Sequence, residues 1–179
     1  MPGNAFIKFL DDKGAKAAEA ESQQLGHLGS DGWIEIGDWS WDVEAEASHL
    51  KGTGAAVGKP SSSALSWSHY YDKSSNKLMQ TIVKGTHFKT AQIDILKQTG
   101  NDAPDLFLQL IAKDVFITKV SSKGGEDGAV SQDIEMVFKQ VALGYKPQKN
   151  DGSLDAVKFF RWNIAEMTDK TPDIKFDIN

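Results

Sequence analysis

Gly32-Trp33-Ile34-Glu35-Ile36-Gly37-Asp38-Trp39-Ser40-Trp41 carries two strand phases in one run. Ile34 and Ile36 share one face. Trp39 and Trp41, continued by Val43 and Ala45, alternate in the opposite phase. Side chains alternate faces along a strand, so both sets reach one core only if a residue is inserted between them. Gly37-Asp38 is the natural place for that bulge or bend. On this reading Ser40, Asp42 and Glu44 point away from the core.

Further strands lie on either side of this run. Residues 5–10 form a short β-rich opening strand. Residues 11–30 are polar and read as a loop with one helical turn near 15–20. Residues 48–63 contain Gly52, Gly54, Gly58 and Pro60 and read as a long loop or hairpin, too polar to be held in a core. Leu65, Trp67, His69 and Tyr71 then alternate with polar neighbours as the next strand. One helix is predicted over residues 74–84. Ser74 or Ser75 caps it, Gly85 ends it in the left-handed region, and Leu78, Met79, Ile82 and Val83 form an apolar stripe that packs on the sheet.

Beyond the helix the pattern returns to strands and turns. Ala91, Ile93 and Ile95 share a face, as do Ile134, Met136 and Phe138. Residues 106–112 and 114–122 are strand-like, residues 124–128 are a glycine-rich tip, and Asn150-Asp151-Gly152 is a hairpin turn. Residues 157–164 are the last strand. The expected fold is mainly β: a compact antiparallel β-barrel or sandwich with one flanking α-helix at about 74–84. It forms a single domain over residues 1–167, and residues 168–179 follow as a polar, loosely held tail.

Composition narrows the function. The chain has 179 residues, 20 basic against 25 acidic, for a net charge of −5. It lacks a basic run, which argues against nucleic acid as a partner. It has no cysteine, which excludes disulfides, thiolate metal sites and cysteine nucleophiles. No apolar run approaches the roughly 20 residues of a membrane helix, and residues 1–10 lack the pattern of a cleaved secretory signal. His27, His49, His69 and His87 show no metal-ligand spacing, and His69, between Trp67 and Tyr71, reads as a packed histidine. No nucleophile elbow or phosphate loop is present. No enzyme activity, metal or cofactor is therefore expected. Trp33, Trp39, Trp41, Trp67 and Trp162 raise one alternative, a monomeric β-sandwich that binds carbohydrate or another small ligand on aromatic faces.

Taken in order, several short motifs resemble the Hcp family, the tube proteins of the bacterial type VI secretion system. Phe6-Ile7-Lys8 is similar to the family's opening strand, and Glu21-Ser22 to its Gly-Glu-Ser segment, with Ala20 in place of the glycine. Trp39-Ser40-Trp41 matches its aromatic-Ser-Trp strand. Asp72-Lys73-Ser74-Ser75, Leu78-Met79 and Gly85 match its helix. Glu126 falls in its glycine-rich hairpin, Tyr145-Lys146-Pro147-Gln148-Lys149 with Asp151-Gly152 in its late hairpin, and Trp162-Asn163-Ile164 in its closing strand. Asp42 stands where the family has glycine, residues 15–31 are longer than the family's loop, and residues 168–179 extend past its usual end.

The resemblance implies a non-enzymatic subunit that closes into homohexameric rings. The rings stack into a tube inside a contractile sheath, and a phage-type tail tube is the near cousin. The implied partners are other copies of the chain, sheath and spike components, and small effector proteins held in the lumen. Assembly would take place in the bacterial cytoplasm, followed by release to the medium or a target cell. Ser40 is the candidate pore-facing residue, and Gly52, Gly54, Gly58 and Lys59 mark the candidate ring-contact loop.

Overall fold

The computed structural model describes residues 4–48, 56–170 and 174–178. In chain order they form β1 (Ala5–Leu10), β2 (Gln23–Gln24), β3 (His27–Leu28), β4 (Ile34–Ile36), β5 (Trp39–Ser40), β6 (Val43–Ser48), β7 (Ala56–Ser62), β8 (Leu65–Tyr70), α1 (Ser75–Lys84), β9 (Phe88–Lys97), β10 (Asp105–Gly124), β11 (Val130–Tyr145) and β12 (Lys158–Asn163).

The main sheet runs β4-β1-β9-β10-β11-β8-β5, with β12 added to β11. The first half of β11 pairs with β8 and its second half with β12. The two ends of this path, β4 and β5, are consecutive in the chain and are joined by Gly37-Asp38. There the Gly37 N–H donates to the Ser68 carbonyl at 2.7 Å and the Ser68 N–H to the Asp38 carbonyl at 3.0 Å. These bonds bring the sheet round on itself into a nearly closed barrel, which removes most of its free edge. A Cβ at Gly37 would stand 2.9 Å from Ser68 Oγ, so a larger residue there would require the Ser68 hydroxyl to turn aside. The predicted break is present, and it passes the chain from one end of the sheet to the other.

The barrel core takes the predicted phases. Ile7, Phe9, Ile34, Ile36, Leu65, Trp67, Ile93, Leu110, Ile134 and Met136 are buried in one cluster. The strand-like runs 106–112 and 114–122 are halves of the single long strand β10. At their joint Asp114 has φ +52, and a little further on, between Ile117 and Lys119, the ladder to β11 shifts register, a bulge that bends the strand round the barrel.

Several expectations are corrected. Val43 and Ala45 are exposed rather than core, because β6 leaves the barrel and pairs with β7 alone among the described residues. Within residues 48–63, Ser48 and Ala56–Ser62 are strand, the hairpin alternative of the sequence reading. Residues 11–30 hold the small β2–β3 hairpin and a 3-10 turn at Gly29–Asp31, and residues 15–20 are not helical.

The N-cap residue of α1 is Ser74, as expected, but its side chain makes no capping bond to the helix; Asp72 supports this end instead. Its Oδ1 accepts the Ser74 N–H at 2.9 Å while its own N–H donates to Ser75 Oγ at 3.0 Å, a reciprocal box that frees neither serine to act alone. Gly85, at φ +64, closes the other end as predicted. The buried side of α1 is Ser75, Leu78 and Thr81, not the full stripe: Ile82 and Val83 stay exposed. The small Ser and Thr side chains allow close approach of the helix, and Thr81 Oγ1 satisfies itself on the Leu78 carbonyl at 2.7 Å.

The tail is also corrected. Ile174 and Ile178 are buried, so residues 174–178 are laid on the barrel rather than loose.

Candidate functional site

Ser40 projects from β5 onto the outer surface of the barrel wall. Its Oγ lies 2.8 Å from Ser66 Oγ, its cross-strand partner. The register extends this row to Glu135 on β11 and Lys119 on β10, and a second row runs Ser68, Asp133, Ser121. Lys119 meets Glu135 at 3.7 Å, and Lys123 pairs with Asp133. With Asp38 and Trp39 these residues line an open groove of about 560 Å³.

Its chemistry is hydroxyls and exposed ion pairs, with Asp38, Asp133 and Glu135 against Lys119 and Lys123. Such a surface is well hydrated and nearly charge-balanced, so it grips no ligand strongly. Ser40 faces another serine and no histidine lines the groove, so nothing there activates it as a nucleophile. Of the groove's five charged residues, Lys119, Lys123, Asp133 and Glu135 were not singled out by the sequence reading. On β11 the signal was alternation, Asp133 and Glu135 being out of phase with Ile134 and Met136; on β10 Lys119, Ser121 and Lys123 share the sequence phase of buried Val115 and Ile117, and only the register shift between Ile117 and Lys119 turns them outward.

The structure does not bring Ser40 together with the candidate contact loop. Gly58 and Lys59 are exposed on β7, in a hairpin that projects away from the barrel wall, while Gly52 and Gly54 lie outside the described residues. The hairpin is held at its base. Trp41 Nε1 donates to Ser62 Oγ at 2.8 Å, the Asp42 N–H to Ser63 Oγ at 2.9 Å, and the Ser63 N–H to the Asp42 carbonyl at 2.9 Å. Pro60, which has no N–H to donate, weakens the edge for indiscriminate pairing.

Of the four histidines, His49 lies outside the described residues, His27 and His69 are packed, and His87 is on the surface. Buried His69 accepts the Trp67 Nε1–H on Nδ1 at 3.2 Å and faces Ser75 Oγ through Nε2 at 3.4 Å. Burial pushes its pKa below the ordinary value, against a smaller raising effect of nearby Asp72. His27 meets Asp94 at 2.9 Å, stacks on Phe6 and packs at a tilt against Trp33. His87 stacks on Phe116. Among the described residues no group of His, Asp and Glu is arranged to hold a metal. The tryptophans are also packing groups. Trp33, Trp67 and Trp162 are buried and Trp39 and Trp41 lie against the core, so they form no row of stacking faces for a sugar.

Comparison with known proteins agrees with this geometry. A family model described as "Type VI secretion system effector, Hcp" matches residues 9–146. Protein hcp1 of Pseudomonas aeruginosa is 32% identical over 170 residues, covering 93% of this chain and 98% of the relative. A solved type six secretion system protein superposes with a TM-score of 0.81 at 24% identity, over 93% of this chain and 98% of that one. Hcp1 from Salmonella typhimurium superposes with a TM-score of 0.73 at 23% identity, over 95% and 100%. The two superpositions establish the fold.

Proposed function

Because the chain belongs to the Hcp family of the type VI secretion system, whose members are secreted, ring-forming structural tube subunits and not enzymes, we propose how this subunit builds its tube. Six copies close a homohexameric ring, and rings stack head to tail. Residues 1–167 form the wall unit. The serine and ion-pair groove around Ser40 faces the lumen, where a hydrated, weakly adhesive surface suits the passage of small effector proteins. The β6–β7 hairpin, with Gly52, Gly54, Gly58 and Lys59, reaches onto a neighbouring subunit. Sheath and spike components are the remaining partners. Rings form in the bacterial cytoplasm before release. No described helix is long and apolar enough to cross a membrane.

The observation that carries this reading is the hairpin. It is a two-stranded sheet that projects from a nearly closed barrel and pairs with nothing else among the described residues. An isolated two-stranded sheet is marginal in water, so a partner surface is what gives it lasting order. Removing residues 52–58 tests this. The expected result is an unchanged circular dichroism spectrum with loss of the ring or stacked species in light scattering. Unchanged assembly would contradict the role.

A further inference from the structure

Residues 174–178 do not merely rest on the barrel; they occupy a groove whose lining is shaped for them. The groove crosses β9, β10, β11 and β12 on the outer surface, away from Ser40. Ile174 and Phe176 pack on the outward-facing Ile111 and Ala142. Gly144 forms a notch under the segment: a Cβ there would stand 2.8 Å from Ile178 Cγ2 and 3.3 Å from the Phe176 ring. The Arg161 guanidinium lies 5.2 Å from the Phe176 ring and 5.4 Å from the Phe159 ring, and its Nη1 donates to the Ile174 carbonyl at 3.2 Å.

The polar contacts are pre-set. Asp94, almost wholly buried, accepts the side-chain N–H groups of Gln109 at 2.8 Å and Gln92 at 3.0 Å, and it faces His27 on its other oxygen. A carboxylate only accepts, so it turns the amide N–H of Gln109 inward and the amide carbonyl outward. That carbonyl receives the backbone N–H of Asp177 at 2.9 Å and of Ile178 at 3.4 Å. Gln92 donates to Asp177 Oδ2 at 3.0 Å. The barrel therefore reads an extended peptide by two backbone N–H groups, one carboxylate, and aliphatic, aromatic and aliphatic side chains at alternate positions.

We propose that this face is a peptide-docking site, filled here in cis by residues 174–178, and that it accepts the same segment from a second copy of the chain. Thr168 is the last bridged position before the segment, paired with Asn163. From there the tether to Ile174 spans at most about 20 Å. A tether that short gives the cis segment a high effective concentration in a lone subunit. It also confines exchange to a copy whose groove lies within that reach, as between adjoining subunits of an assembly. The docking itself stands on the fold of the barrel face and not on the ring.

The test uses the full chain carrying Phe176→Ser and Ile178→Ser, which loosens its own segment. The probe is a fluorescein-labelled peptide of residues 173–179, read by fluorescence anisotropy. The expected result is saturable binding to this variant, at least tenfold weaker binding to the unaltered chain, and none by a scrambled peptide. Tryptic cleavage after Lys175 should also run at least tenfold faster in the variant. Absence of peptide binding, equal binding of the scrambled peptide, or equal cleavage rates would overturn the proposal. So would loss of cooperative unfolding in the variant, since a ligand is dispensable to the fold that holds it.

Discussion

Strands β10 and β11 each carry two different outer surfaces, one on either half. In one half, Gln109, Ile111, Ala142 and Gly144 lie beneath residues 174–178. In the other, Lys119, Ser121, Lys123, Asp133 and Glu135 stand open to solvent around Ser40 and Ser66. The first surface buries a carboxylate and gives it a full set of partners; the second spreads its charges in exposed pairs. The same pair of strands thus makes a rigid, self-covered half and a wet, uncommitted half. In the tube proposed above, the covered half would hold the shape of the wall and the open half would face the lumen.

The largest effect should come from breaking the covered half. Asp94→Ala would leave the amides of Gln92 and Gln109 and the ring of His27 without their shared acceptor. Stability should fall by about 3 kcal/mol in urea unfolding. A loss below about 1 kcal/mol would show that the buried cluster is not what stiffens this half.

A smaller, pH-dependent effect should come from His69, on the inner side of β8 beneath the serine row. Its pKa is lowered in the folded state by burial. The unfolded chain therefore binds the proton first as the pH falls. The stabilising contribution is whole above the ordinary histidine pKa and is lost as pH drops through the folded-state value, with a slope of at most about 1.4 kcal/mol per pH unit. Urea midpoints of the His69→Asn chain should be flatter than those of the parent on the acid side of about pH 6.5. Parallel profiles would contradict the burial argument.

The smallest stability changes belong to the open half. Ser40→Ala and Lys123→Ala should each lie within about 0.5 kcal/mol of the parent, since exposed pairs contribute little. Function should separate from stability there: Ser40→Gln should change which small proteins co-purify with the rings while leaving ring mass unaltered. Unchanged co-purification would remove the lumen assignment.

Much of the barrel was legible because strand phase is a local signal. Ile93, Ile134 and Leu65 announced their face by alternation, and Gly37-Asp38 and Gly85 announced where the chain had to turn. The exposure of Ser40 was legible for the same reason, since it is out of phase with its tryptophans. The rest depended on what packs where. Val43 and Ala45 carry a core phase but ride on a hairpin that leaves the core. Ile82 and Val83 lie on the helix face turned from the sheet because Ser75 and Thr81 take the near side. Ile174, Phe176 and Ile178 alternate as a strand does, yet they sit in a polar stretch. Only the Gly144 notch and the outward Gln109 carbonyl, both distant in sequence, show that they are held.

The central claim, that this chain is a ring-forming tube subunit, is tested most directly by the solution mass of the purified full chain in light scattering. A species of about six times the 19.6 kDa chain mass is the expected result. A lone monomer at every concentration, in a protein that unfolds cooperatively, would contradict it.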